Sequence, residues 1–213
     1  MNTPETGKPL VNESPAHRAP RVTRMLTWAG AGGLRLEAAR LILSERGLRA
    51  SGSLTSTRQE GTEAYFASYS LTTDKTGVAK RLAVRTTRVH GEHYLTLTRS
   101  EEGIWLIDHQ LDRGTRTIRT PFSGALDVEL TFSPLFTTLP LRRLGPRITA
   151  QHDLAVVSVS LPGLEVDCVR QTYRTVSVGE PTVVSFTSHA VTAELTMDTD
   201  GLLIDHPGVA HRA

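Results

Sequence analysis

The 213-residue sequence has one cysteine, three lysines and only 5% aromatic residues. The lone Cys168 excludes an intrachain disulfide and a multi-cysteine metal site, leaving a small buried thiol as the expectation. No apolar run approaches the ~18 residues of a membrane-spanning helix. Residues 1–24 lack the apolar core and small-residue cleavage site of a secretory signal, so the expected location is cytoplasmic. Positive charge rests on 21 arginines, scattered among acids at a formal net charge of +2. Neither a basic patch nor a stacking platform results, so no nucleic-acid partner is expected.

Familiar catalytic signatures are also missing. Gly30-Ala31-Gly32-Gly33 lacks the third glycine of a dinucleotide loop, and no serine sits in a Gly-x-Ser-x-Gly elbow. His90 and His93 flank Gly91-Glu92; across a two-residue hairpin turn they would form a cross-strand pair. No third metal ligand accompanies them, and they read as exposed turn residues. Neither a cofactor nor a metal is expected.

What is present is a period of two. Thr, Val and Ile make up about a quarter of the chain, and β-branched residues favour strands. Residues 1–24 carry four of the eleven prolines and almost nothing apolar, which predicts a disordered or extended tail before one globular domain over 25–213. Leu34, Leu36 and Ala38 alternate with Arg35 and Glu37, and 33–43 reads as a strand although its spacing also suits a helix. Further strands are predicted at 48–57, 64–73, 79–90, 93–99, 103–109, 113–119, 126–132, 147–160, 164–177, 181–187 and 190–198. Short Gly- or Pro-bearing turns separate them. Asp198-Thr199-Asp200-Gly201 reads as one such turn rather than a calcium loop, since no downstream glutamate follows. The pattern predicts an all-β, antiparallel meander with at most short helical turns.

The stretch 124–144 is the most informative. Leu126, Val128, Leu130 and Phe132 share one strand face; Asp127, Glu129 and Thr131 share the other, wetter one. The motif runs Gly124-Ala125-Leu126-Asp127-Val128-Glu129-Leu130, then Ser133-Pro134, then Leu139-Pro140-Leu141-Arg142-Arg143-Leu144. Trp28, Gly103-x-Trp105, Gln171-x-Tyr173 and the closing Asp198 to Gly208 accompany it. On these residues the chain resembles a bacterial family described as "putative glycolipid-binding", over roughly 25–212. It departs where His206 replaces the family's aromatic, at Thr137-Thr138 where asparagine is usual, and in lacking a tryptophan after Asp74. The resemblance implies a spiral antiparallel β-roll, similar to the half-barrels of lipoprotein carriers.

It also implies non-catalytic binding of a glycolipid-like amphiphile in an apolar groove. Candidate lining residues are Trp28, Trp105, Phe132 and Phe136, with His206 nearby. An extended 139–144 would set Arg143 on the groove face with Leu139 and Leu141, ready to fork onto a ligand anion. Arg142 would then pair with Asp127 or Glu129 on the wet face. Two other classes stand beside this one. One is a hydrolase or isomerase using Asp127, Glu129, His206 or His109; the other is a protein-interaction domain offering a sheet edge.

Overall fold

The computed structural model describes residues 21–59, 61–111, 114–145, 151–189 and 191–213. Eight strands form a first antiparallel meander: β1 (Val22–Gly30), β2 (Arg35–Ser44), β3 (Gly47–Ser56), β4 (Tyr65–Thr73), β5 (Ala79–Arg88), β6 (Gly91–Arg99), β7 (Trp105–Leu111) and β8 (Gly114–Thr120). The second run comprises β9 (Asp127–Leu130), β10 (Gln151–Val159), β11 (Val166–Ser177), β12 (Thr182–Ser188), β13 (Val191–Met197), β14 (Leu203–His206) and β15 (Ala210–Arg212). β15 pairs antiparallel with β1, joining both runs into one open 15-stranded sheet with β8 and β9 at its edges. Among the described residues every strand pairing is antiparallel except that of β9 with β10. The sheet curls on itself: the Ala79 N–H on β5 donates to the Leu126 carbonyl beside β9 at 2.9 Å.

Period-two sequence produces these strands in the expected way. In β4, Tyr65, Ala67, Tyr69, Leu71 and Thr73 are buried while Phe66 and Ser70 are exposed. In β2 the expected face is inverted. Leu34 and Leu36 are 40% and 49% exposed, whereas Glu37 is 2% exposed and Ala39 and Leu41 are fully buried. Register is set by the whole sheet, and a one-residue slip turns every side chain over.

Other boundaries shift as well. β1 opens at Val22, so Val22 to Arg24 pair with β2 instead of extending the tail; residues 1–20 of that expected tail lie outside the described residues. The β5–β6 turn is Val89-His90, because Arg88 pairs with Gly91. His93 therefore lies opposite Thr86 in the strand and does not form a pair with His90.

The largest departure is a helix, α1 (Pro134–Leu144), where 139–144 was expected to be extended and 126–132 to be one strand. β9 ends at Leu130, and Phe132 takes a left-handed φ of 67° that turns the chain. Ser133 then stands at the N-cap, Pro134 at the first helical position, and Gly145, φ 68°, stops the helix. These are ordinary start and stop signals.

α1 lies inside the roll. Leu135, Phe136 and Leu139 join the larger core cluster with Trp28, Leu54 and Trp105; Leu141 joins a second with Tyr173, Phe186 and Met197. The Thr138 hydroxyl bridges the helix to β14, accepting the Leu203 N–H and donating to the Pro134 carbonyl. The concave face expected to lie open for an acyl chain is thus covered along α1 by the chain's own apolar residues. Among the described residues no helix is long and apolar enough to cross a membrane.

Phe136 is 1% exposed and meets Tyr69 edge-to-face at 5.1 Å. Phe136→Ala should therefore cost about 3–5 kcal/mol in urea unfolding. A loss below about 1 kcal/mol would show that α1 is not a packed element of the core.

Candidate functional site at the two ends of the buried helix

Polar chemistry gathers at both ends of α1. At its N-terminal end the Glu37 carboxyl reaches from β2 into the core. Its Oε1 accepts from the Ser133 hydroxyl at 2.6 Å and from the Tyr69 hydroxyl. Ser133 occupies the cap position but makes no side-chain cap; its hydroxyl donates to Glu37 on another strand instead. Tyr69 can lie across β3 because Gly52 leaves the room: a Cβ there would stand 2.4 Å from the phenol oxygen. Burial raises the Glu37 carboxyl to about 7, although the hydrogen bonds from Ser133 and Tyr69 pull it down. Burial and the neighbouring Glu37 also push the Tyr69 phenol well up.

Beside Glu37, Arg35, Ser56 and Tyr65 line up in register across β2, β3 and β4. The Arg35 guanidinium stacks over Phe132, 4.0 Å from the ring centroid. Phe132 is 43% exposed, so this end opens to solvent. Arg35 Nε, Glu37 Oε2 and the Tyr65 hydroxyl are all buried without a hydrogen-bond partner.

At the C-terminal end the pairing with Asp127 expected of Arg142 is made by Arg143. Arg143 forks onto Asp127, Nε to Oδ1 at 3.2 Å and the terminal nitrogen to Oδ2 at 2.5 Å. Arg142 donates to the Asp200 carbonyl and is exposed. Strand parity fails here because neighbours on a helix diverge by about 100°, not 180°. Nor are Asp127 and Glu129 on a wet face. Asp127 is 1% exposed, and Glu129 accepts from Gln171 at 2.8 Å, which in turn accepts from Tyr173. Burial pushes both carboxyls up; Arg143 draws Asp127 partly back, and Ser158 and Gln171 do so for Glu129.

The remaining candidates lie apart. Trp28 and Trp105 are fully buried and pinned by indole N–H bonds to the Leu203 and Ala125 carbonyls, 3.0 Å each. Phe136 is core. His206 packs edge-on against Phe186 at 5.4 Å with Nδ1 unpartnered, and burial pushes its pKa down. His109 stands on β7, its pKa lowered mainly by burial. The Asp198–Gly201 turn has its acids paired, Asp198 with Arg212 and Asp200 with Arg24. No group of potential metal ligands forms among the described residues.

Two clefts flank Arg142. One, of about 160 Å³, lies between α1 and the β2–β3 and β4–β5 turns. The other, of about 490 Å³, has Leu141, Val178 and Met197 in its wall and Arg142, Glu180, Asp198 and Asp200 around it. Sequence reasoning found Arg142 but missed this cleft, as it missed Glu37, Tyr69 and Ser133; only Ser133-Pro134 carried a readable signal, that of a helix start.

The architecture is that of a single open antiparallel β-roll wound around one helix. The chain belongs to the family described as "Putative glycolipid-binding", whose model matches residues 25–212. It is similar in fold to the crystal structure of a DUF1089 family protein from Pseudomonas aeruginosa. That similarity has a TM-score of 0.70 at 23% identity, covering 97% of this chain and 100% of that one. No match is found among curated proteins.

The raised Glu37 sets a pH dependence. An acid whose folded pKa exceeds its unfolded one stabilises the fold fully below about 4.5 and loses that contribution as pH rises toward about 7. Glu37→Gln removes this titration. Between pH 5 and pH 8 the variant should gain up to about 3 kcal/mol on the wild type in urea unfolding. A difference independent of pH would mean that Glu37 ionises as freely folded as unfolded.

Proposed function

We propose that the protein binds an amphiphile of the glycolipid type, without chemical conversion, in the cleft between the C-terminal end of α1 and the β11–β12 and β13–β14 turns. The observation that carries this reading is the division of that cleft. Its wall is apolar at Leu141, Val178 and Met197, and its rim is polar at Arg142, Asp198, Thr199 and Asp200. An acyl or other apolar portion fits the wall, and hydroxyls of a head group fit the rim. Arg142 is exposed at the rim, where it donates to the Asp200 carbonyl, whereas Arg143 is committed to Asp127 behind it. The family's description agrees with such a ligand. Under this reading Trp28, Trp105 and Phe136 act as core rather than lining.

Val178 is 49% exposed, so a larger side chain there should fill the cleft with little cost to the fold. A fluorescent probe with an alkyl chain and a sugar head group should bind the wild type. Val178→Trp should weaken it at least about tenfold, on the order of 1.4 kcal/mol. Unchanged affinity in Val178→Trp, or no binding by the wild type, would remove the proposal.

A further inference from the structure

We propose that Arg35, Glu37 and Tyr65, at the N-terminal end of α1, form a second ligand site that takes an oxyanion, the phosphate or carboxylate group of a small molecule. Four buried side-chain atoms among the described residues lack a hydrogen-bond partner, and three of them belong to these residues. Such orphans are normally costly, so three on one inward face, from β2 and from β4 across β3, point to a missing partner. Glu37 and Tyr65 are 2% and 5% exposed, which keeps bulk solvent from being that partner for either.

The chemistry of the three atoms selects the ligand. Arg35 Nε can only donate, and the Tyr65 hydroxyl is free to donate. Both hydroxyl donors on Glu37, from Ser133 and Tyr69, converge on Oε1, which leaves Oε2 as the place for the proton of the neutral acid. With its pKa raised to about 7, Glu37 then presents a third donor. Arg35 is the cation of the group. Among the described residues no carboxylate lies within ion-pair distance of it, and its flat face is already occupied by Phe132. A cation and two hydroxyl-type donors fit an acceptor with several oxygens and a negative charge. A sugar hydroxyl would leave the charge uncompensated. The site shares no residue with the cleft beside Arg142, so it stands or falls separately from the amphiphile proposal.

The test is calorimetric titration of the full chain at pH 6 with inorganic phosphate, acetate and dihexanoyl phosphatidic acid below its micelle concentration. Tyr65→Phe deletes only an unpartnered hydroxyl. It should leave the melting temperature unchanged or higher, yet weaken oxyanion binding at least fivefold; Arg35→Gln should weaken it further. Val178→Trp should leave this binding intact. Binding of phosphate or acetate that follows this pattern assigns a free anion as ligand. Binding of the lipid alone, with the same loss in Tyr65→Phe, assigns a phosphate head group. The proposal is overturned if none of the three binds, if Tyr65→Phe binds as the wild type does, or if Tyr65→Phe melts several degrees lower, since the hydroxyl would then have a structural partner.

Discussion

A carboxyl group buried at the start of a helix holds this fold in its particular form. A sheet of fifteen strands that does not close must cover its concave face with something, and here the cover is α1. Glu37 fixes where that helix begins. It gathers the Ser133 hydroxyl at the helix start and the Tyr69 hydroxyl onto one side chain from β2. Helix N-termini attract negative charge, but full burial opposes ionisation. The compromise is an acid that changes charge near neutrality.

The opposite end of the helix is fixed by an ion pair instead. Arg143 and Asp127 are largely shielded from water and matched in a two-pronged geometry. Such a pair contributes little net stability relative to apolar residues, but breaking it strands a buried charge at about 3–5 kcal/mol. It therefore specifies position more than it adds stability. Between the two ends, Leu135, Phe136 and Leu139 fill the roll, and Thr138 ties the helix to β14. What remains for a ligand lies at the ends of α1 rather than along it.

The strands were legible in the sequence because alternation is a local property; the predicted segments from 48–57 to 190–198 each overlap an observed strand. The faces were less legible. Leu34 and Leu36 outnumber Glu37 as apolar residues in their segment, yet register places Glu37 inside, because Ser133 and Tyr69, distant in sequence, complete its hydrogen bonds. α1 was missed although Ser133-Pro134 and Gly145 mark its limits. The alternation of 126–132 gives no sign of the left-handed φ at Phe132 that turns the chain into the helix. Arg143 rather than Arg142 pairs with Asp127 as a direct result. The short strands β14 and β15, four and three residues long, had too little pattern to read.

Burial of a titratable carboxyl at the helix start is the claim from which the pH dependence and part of the second ligand site follow. It is tested most directly by a carbon-13 NMR titration of the side-chain carboxyl carbons, with the Glu37 signal assigned through its absence in Glu37→Gln. A midpoint near 7 is expected for that signal. A midpoint at about 4.3, the ordinary glutamate value, would contradict it.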